Sequence, residues 1–267
     1  PTQYLALKWR KNYQKYQNKY YYHCHNEFVG TYGCECIIKN TTKIICVSNF
    51  IKNSLEKKLE IDEDRCVVLR NGIDTEKFSK KINEVEKQEI KKKYNIKNGD
   101  KILLFTGRLV PEKGIKELLE ALSNVQIENL KLLVVGAALN KISVKTKYEM
   151  EIEELVKKIN KNIIFTGYVE YKEIYKLYAI ADIAVLPSIW DDPAPLTIIE
   201  SMAAGLPIIT TNSGGIPEYA KNGCAVILKR NENMIYNLKD AIIDVLSDKD
   251  KRGKMSEISK ENVKKLN

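Results

Sequence analysis

Two acidic residues flank the predicted start of a helix in the C-terminal half of the chain. Asp192 precedes and Glu200 follows Pro195, where the helix opens after an apolar strand pattern that ends at Leu186. The first turn of a helix has unpaired N–H groups and a positive dipole end, which together favour a phosphate. Helical side chains lean toward the N-terminus, so we expect Glu200 to face the same helix start. Amides for a diphosphate and carboxylates for hydroxyl groups are the chemistry that a nucleotide sugar requires.

Both acids also have ordinary structural explanations. Asp192 is a good N-cap before a helix that opens with proline, and an exposed helical glutamate needs no function. Glu200, however, interrupts a small and apolar pattern over residues 196–205, which predicts a helix packed on most sides. A carboxylate in such a place needs a partner.

A second segment suited to phosphate follows the predicted strand Ile102–Phe105. Gly107 permits a close approach of the backbone, and Arg108 and Lys113 add two cations before the next helix begins. Arginine offers forked donors for a diphosphate, whereas lysine acts as a point charge. Simple exposure of both cations to solvent is the alternative, but their position beyond a strand and beside a helix start favours phosphate binding.

Glycines also follow other predicted strands. Gly136, Gly167 and the pair Gly214-Gly215 stand at such positions, where a flat base or a phosphate can approach the backbone. An ordinary strand-to-helix turn explains each of these glycines equally well.

These residues depend on an alternation of short apolar strands and helices that begins at residue 101. The predicted strands are Ile102–Phe105, Leu130–Val135, Asn162–Phe165, Asp182–Leu186, Pro207–Thr210 and Ala225–Leu228. Helical spacing lies between them over residues 115–122, 151–159, 173–179 and 196–204. The pattern predicts an α/β fold, with a parallel sheet covered by helices on both faces and ligands beyond the carboxyl ends of its strands.

The first hundred residues contain fewer such units. Strands are predicted over Lys19–Cys24, Lys43–Val47 and Arg65–Leu69, with helices over Phe50–Leu59 and Glu84–Tyr94. We therefore predict a partial first domain over residues 1–80, a linker and helix over residues 81–100, and a second domain over residues 101–267.

The composition indicates a soluble globular protein. The chain has 267 residues, of which 44% are hydrophobic and 30% are charged. The net charge of +9 comes mainly from scattered lysines, so it supports nucleic-acid binding only weakly and fits phosphate-bearing substrates or an anionic membrane face. The six cysteines lack a disulfide-rich spacing, and we therefore expect free thiols and a cytoplasmic location.

A segment rich in histidine and cysteine raises the question of a metal. His23, Cys24 and His25 are consecutive, and Cys34 and Cys36 follow, but these spacings match no usual zinc pattern. Alternation along a strand explains the first three residues without a metal. We expect no metal site.

An ordered series of motifs resembles a known family. The chain is similar to the C-terminal domain of the family-four retaining glycosyltransferases in TGRLVPEKG, LLVVGA, IIFTGYVEYKEIYKLYAIADIAVLPS, DDPAPLTIIESMAAGLPII and TNSGGIPEYA. It resembles the end of that family's N-terminal domain in IICVSNFIKNSLEKKL and VVLRNGIDTEKF. The resemblance implies the two-domain B-type fold, with an incomplete first Rossmann-like domain and a nearly complete second one.

The resemblance implies roles for the residues at the two helix starts. Arg108 and Lys113 match the cations that hold the donor diphosphate and stabilise it as it leaves. Asp192 and Glu200 match an acidic pair, of which the first contacts the donor sugar and the second contacts the nucleotide ribose.

Other positions match binding residues of the family. Leu196 and Thr197 match helix-start amides near the phosphates, and Tyr168 lies where the backbone meets the base. His25 resembles a first-domain histidine near the transferred sugar. The predicted substrate-binding set is completed by Gly107, Gly136 and Pro195.

The chain also departs from the family pattern. Asp192 stands where the family has glutamate, and Ala194-Pro195 replaces Phe-Gly, which removes one N–H from the anion cradle. The family's N-terminal glycine-rich loop has no counterpart, so we expect this chain to be a fragment.

The implied function is the retaining, metal-independent transfer of a hexose or N-acetylhexosamine from a nucleoside diphosphate sugar, which is a co-substrate and is expected to need no cofactor. A UDP-sugar is the favoured donor. The expected acceptor is a glycan or lipid-linked molecule in cell-surface polysaccharide or lipopolysaccharide synthesis, at the cytoplasmic face of the membrane. Two alternatives stay open: a nucleotide-sugar epimerase of the same fold, and a non-catalytic nucleotide-sugar-binding remnant.

Overall fold

The chain folds into two compact units. The computed structural model describes residues 19–27, 35–137, 146–159 and 162–266. The first unit comprises Pro1–Asn71 together with Asp192–Pro195, and the second comprises Gly72–Asp191 together with Leu196–Asn267. Each unit contains a parallel β-sheet and helices. The predicted α/β class is therefore confirmed.

The first unit is built on a three-stranded parallel sheet. Its strands are β1 (Tyr21–Cys24), β2 (Lys43–Cys46) and β3 (Cys66–Val68), in that spatial order, with helices over Glu35–Lys39 and Asn49–Leu59 and a 3-10 turn over Glu63–Arg65. The hydroxyl oxygen of Ser48 caps the longer helix by accepting the N–H of Ile51 at 3.3 Å. Ile51, Leu55 and Leu59 repeat at helical spacing and are buried in one cluster with residues of the sheet.

Side chains at β1 alternate as the sequence predicts. His23 and His25 are exposed on either side of the buried Cys24, and the two imidazole centroids lie 4.1 Å apart. Among the described residues, no three His, Cys, Asp or Glu side chains are grouped so that they could hold a metal ion. The burial of Cys24 between two exposed histidines is the alternation expected along a strand.

The described cysteines are free thiols in the interior. They are Cys24, Cys46, Cys66 and Cys224. Burial raises the pKa of the Cys24 thiol to about 12, because a thiolate would lose its hydration there. Cys34 and the side chain of Cys36 lie outside the described part of the chain.

The second unit contains a six-stranded parallel sheet. In chain order its strands are β4 (Lys101–Thr106), β5 (Leu130–Val135), β6 (Asn162–Gly167), β7 (Ile183–Leu186), β8 (Ile208–Thr211) and β9 (Ala225–Leu228). Their spatial order is β6-β5-β4-β7-β8-β9. Strands β5, β7 and β8 are buried along their whole length. All six strands lie within two residues of their predicted bounds.

Helices cover both faces of this second sheet. They span Thr75–Ser79, Glu84–Lys93, Ile115–Ser123, Lys147–Lys157, Tyr175–Ile180, Leu196–Ala203, Ile216–Tyr219, Met234–Ser247 and Lys249–Lys264, with a 3-10 turn at Pro111–Lys113. The sequence predicts most of them to within a few residues but misses Thr75–Ser79, Ile216–Tyr219 and Met234–Ser247. None of the helices that the structure describes has the length and apolar character needed to cross a membrane.

The division between the units differs from the predicted domain boundary. The sequence places the end of the first domain at residue 80 and the end of the linker at residue 100, whereas the compact units divide after Asn71. Phe78 supplies the physical reason, since its ring is 2% exposed and meets the ring of Tyr178 edge-on at 5.4 Å. An ion pair between Glu86 and Lys176 at 3.1 Å joins the next helix to the same surface. The stretch from Gly72 to residue 100 therefore packs as part of the second unit.

Candidate functional site

The strand order of the second sheet creates a switch point between β4 and β7. Successive strands build outward from this point in opposite directions, so the loops that leave β4 and β7 diverge and open a crevice at the carboxyl edge. Gly107 to Gly114 follow β4, and Pro187 to Asp191 follow β7. The fold thus brings the segment after β4 to the same edge as the loop after β7. The loop after β7 leads directly to the second predicted phosphate-binding segment.

Three glycines lie next to one another at the ends of β4, β5 and β6, and we call Gly107, Gly136 and Gly167 the glycine platform. The N–H of Gly107 donates to the Val135 carbonyl at 3.0 Å, and the N–H of Gly136 donates to the Gly167 carbonyl at 3.1 Å. A Cβ on Gly136 would lie 1.9 Å from the carbonyl oxygen of Gly107, and the Gly136 φ of 138° also favours glycine. Gly136 therefore packs too closely against Gly107 to carry a side chain, and the three glycines leave bare main chain at this edge.

Lys113 lies beside the glycine platform. Its Cγ and Cδ atoms are 3.8 and 3.9 Å from the place where a Cβ on Gly107 would stand. Arg108 is exposed, and its guanidinium makes no ion pair or hydrogen bond with another described residue. Two cations therefore stand next to bare main chain, an arrangement that suits a diphosphate.

The 3-10 turn that carries Lys113 is fixed to the exit of β7. The carbonyl oxygen of Glu112 accepts the hydroxyl of Ser188 at 3.1 Å. Gly114, with a φ of 71°, packs so closely that a Cβ would lie 1.9 Å from the Pro187 carbonyl oxygen. Contacts between the two loops, most of them to main chain, therefore set the position of Lys113.

The loop after β8 is held by an acidic residue that no sequence motif singles out. Asp191 accepts the N–H of Gly214 at 3.0 Å and forms an ion pair with Arg230, which follows β9. The Ser188 carbonyl accepts the hydroxyl of Ser213 at 2.8 Å. The loops after β7, β8 and β9 are thus tied together at one edge of the sheet.

The helix Leu196–Ala203, which we call the site helix, begins directly after Pro195 as predicted. Leu196 is 42% exposed and Thr197 is half-buried, so the first turn is open to solvent. The N–H groups of a first turn lack partners within the helix. This turn is therefore able to receive an anion.

Glu200 is buried in the site helix, with 4% of its surface exposed. Its Oε2 atom accepts the hydroxyl of Tyr178 at 2.7 Å, and the Tyr178 hydroxyl lies 2.9 Å from Oγ1 of Thr106. Burial raises the pKa of the Glu200 carboxyl, while the hydrogen bond from Tyr178, the charge of Lys77 and a hydrogen bond from Tyr171 oppose that rise. Tyr178, Lys77 and Tyr171 are therefore the partners that a carboxylate in an apolar helix is expected to need.

Other predicted site residues belong to the first unit. His25 is exposed directly after β1, and Asp192 and Pro195 lie in the short segment that clusters with that unit. Ala194 of the same segment packs against the buried cluster of the first sheet, and its carbonyl oxygen accepts the side-chain amide of Asn71 at 3.4 Å. The predicted catalytic set is therefore divided between the two units.

Tyr168 is 39% exposed and lines a groove of about 410 Å³ at the β6 edge of the second unit. Tyr94 and Lys93 line the opposite side from the Glu84–Lys93 helix. Because Tyr168 directly follows Gly167, the groove adjoins the glycine platform.

The residues around Glu200 cannot be identified from sequence patterns alone. Tyr171 and Tyr178 lie within a motif that carries the family resemblance, and so does Lys77, but no pattern assigns them a role. Tyr178 and Glu200 are 22 residues apart and meet only because two helices pack together. The buried carboxylate is the signal that points to such partners.

Protein-family models match nearly the whole chain. The model described as Glycosyl transferases group 1 matches residues 62–262, and the model described as Glycosyltransferase Family 4 matches residues 3–77.

Individual proteins agree with these models. The putative glycosyltransferase YtcC of Bacillus subtilis is 29% identical, over 86% of this chain and 58% of its own length. The UDP-Gal:alpha-D-GlcNAc-diphosphoundecaprenol alpha-1,3-galactosyltransferase of Escherichia coli is 29% identical, over 79% of this chain and 53% of its own length. A solved glycosyltransferase structure from Rickettsia africae ESF-5 has a TM-score of 0.85 and 25% identity, covering 98% of this chain and 75% of that chain.

The chain thus spans between 53% and 58% of the length of these two curated relatives. The first family model alone covers well over half of the chain and includes the glycine platform, Lys113 and the site helix. The resemblance carried by the ordered motifs is confirmed, and the chain belongs to the glycosyl transferases group 1 family.

Proposed function

We propose that the complete protein transfers a hexose or an N-acetylhexosamine from a nucleoside diphosphate sugar, with retention of configuration and without a metal ion. The observation that carries this proposal is the placement of Lys113 against Gly107, with Arg108 beside it, at the carboxyl edge of the second sheet. Two cations and bare main chain support binding of a diphosphate at this edge. Family membership supports the reaction class.

The reaction needs positive charge where the sugar–phosphate bond breaks. The bond from C1 to the diphosphate oxygen breaks while the acceptor oxygen bonds to C1 on the same face, and the departing diphosphate takes up the acceptor's proton. Arg108, Lys113 and the amides of Leu196 and Thr197 are assigned to stabilise the charge that collects on the diphosphate. Because the protein's own cations supply this charge, we expect a chelator to leave the rate unchanged.

The remaining predicted residues are assigned to the rest of the donor. Asp192 and His25 are assigned to the transferred sugar, Glu200 to the ribose hydroxyls, and Tyr168 to the base. A UDP-sugar is the favoured donor, and a glycan or lipid-linked molecule is the favoured acceptor. The Escherichia coli relative, whose name specifies UDP-galactose and a diphosphoundecaprenol-linked sugar, supports both choices. A net charge of +9 supports peripheral contact with an anionic membrane on the cytoplasmic side.

Product analysis tests the proposed reaction. The complete protein is incubated with UDP-sugars and a lipid-linked sugar acceptor, and the products are identified by mass and by the anomeric NMR signal. We expect a new glycoside with the anomeric configuration of the donor. An isomerised nucleotide sugar would instead assign an epimerase, and donor binding without any turnover would assign a non-catalytic protein.

A further inference from the structure

Side chains with hydroxyl groups lie around the Glu200 carboxylate in the second unit. The Tyr178 hydroxyl contacts Thr106 on one side and Oε2 of Glu200 on the other, at 2.9 and 2.7 Å. The Tyr171 hydroxyl also faces Glu200 and lowers the pKa of its carboxyl. The ammonium group of Lys77 lies 4.5 Å above the centre of the Tyr171 ring. Three groups from separate elements, Tyr178, Tyr171 and Lys77, thus face one buried carboxylate.

The direction of these hydrogen bonds follows from the carboxylate. An ionised Glu200 only accepts, so Tyr178 donates to it and in turn accepts the hydroxyl of Thr106. The Tyr171 hydroxyl faces the same carboxylate and is available to it as a second donor. Both tyrosine hydroxyls therefore stabilise the ionised form of Glu200. A carboxylate has about four acceptor positions, so it can still accept hydrogen bonds from a ligand.

Packing holds these donors in place. Tyr178 is completely buried in the Tyr175–Ile180 helix, and the buried ring of Phe78 contacts it edge-on at 5.4 Å. The same Phe78 ring lies 5.8 Å from the ring of Tyr171. The short helix that carries Lys77 and Phe78 thus contacts both tyrosines, and the buried Tyr178 hydroxyl has little freedom to leave Glu200.

We propose that Tyr178, Tyr171 and Lys77 are positioning residues that hold Glu200 ionised and in a fixed orientation, so that it accepts hydrogen bonds from the hydroxyl groups of a bound nucleotide. This inference rests on the proposed function, because it takes the ligand of Glu200 to be the ribose of the donor. It adds three residues from two helices and one loop that act only through the carboxylate.

The sign of the pH effect follows from the groups that face Glu200. Those groups are Tyr178, Lys77 and Tyr171, and each lowers a pKa that burial raises. Nucleotide binding is present above the pKa of the Glu200 carboxyl and is lost as the pH falls through it. Removing one of the donors raises this pKa further, so the loss of binding moves to higher pH.

Calorimetric titration with UDP across the acid and neutral range tests the inference on the complete protein. We expect Tyr171→Phe and Tyr178→Phe each to weaken UDP binding about tenfold at neutral pH and to raise the acid midpoint by about one pH unit. Glu200→Gln is expected to remove the acid midpoint altogether. Tyr171 is half exposed, so its variant keeps the test valid if Tyr178→Phe folds poorly.

Tyr175→Phe is the matched control, because it makes the same chemical change on the same helix without touching Glu200. We expect wild-type affinity and a wild-type acid midpoint from it. The inference is overturned if the Tyr171 and Tyr178 variants bind UDP like the wild type with an unchanged acid midpoint, even if their melting temperatures fall. If the wild type does not bind UDP, the proposed function itself is contradicted. The wild-type titration shows this without any variant, so the two failures are distinguishable.

Discussion

Replacement of Lys113 by alanine is expected to lower the rate of sugar transfer by roughly 10²–10³-fold, the usual effect of removing one preorganised charge from a developing anion. The Lys113 stem lies against Gly107 at the glycine platform, and the loop that carries it is fixed by the contacts of Glu112 and Gly114 with the exit of β7. The ammonium group therefore acts from a defined place, and the loss falls on kcat. Steady-state kinetics of the complete protein measure this effect.

Lys116→Ala is the control for this prediction. Lys116 is exposed on the adjacent helix and forms a surface ion pair with Glu120 at 4.0 Å. It lacks the contact with Gly107, so we expect its removal to leave kcat near the wild-type value. A Lys113→Ala variant that is folded and as fast as Lys116→Ala would exclude Lys113 from the chemistry.

Replacement of Gly136 by alanine is expected to destabilise the second unit by roughly 2–5 kcal/mol, which corresponds to a fall in melting temperature of roughly 5–15 °C. The new Cβ would lie 1.9 Å from the Gly107 carbonyl oxygen, and a backbone atom cannot move aside as a side chain can. Gly107 must shift, and the place of Lys113 shifts with it. We therefore expect UDP binding to fall together with stability, as thermal unfolding and calorimetry would show.

Gly99→Ala separates steric overlap from backbone strain. Gly99 also has a positive φ, 93°, but no atom lies within 4 Å of the position of its Cβ. We expect this control to lose only about 1–2 kcal/mol and to bind UDP normally. Equal losses in the two variants would mean that the close approach of Gly136 to Gly107 has no energetic consequence.

The sequence predicts the framework of the site because its signals are local. Strands of a covered parallel sheet are mostly apolar, so short apolar runs predict β4 to β9, and the glycines and cations lie just beyond the strand ends. The helix Met234–Ser247 also carries a local signal, because its buried residues stand at helical spacing. By contrast, Thr75–Ser79 is too short for any periodicity to show.

The partners of Glu200 and Asp191 could not be predicted because they are tertiary. A buried carboxylate needs hydrogen-bond donors, but the sequence does not show which residues supply them. Tyr178 becomes the donor to Glu200 only when the Tyr175–Ile180 helix packs against the site helix. Asp191 stands next to the acid that the family pattern matches, and its role in holding Gly214 and Arg230 depends on three loops meeting. Likewise, Phe78 is a single aromatic residue in a polar stretch of sequence, and its burial against the ring of Tyr178 is a tertiary contact that no local pattern predicts.

Binding of a nucleoside diphosphate at the glycine platform is the central claim, and calorimetric titration of the complete protein with UDP and with UMP tests it most directly. We expect UDP to bind at least tenfold more tightly than UMP, because the second phosphate reaches the Arg108 and Lys113 charges, and we expect Lys113→Ala to abolish most of that difference. Equal affinity for the two nucleotides in the wild type, or no binding of either, would contradict the claim.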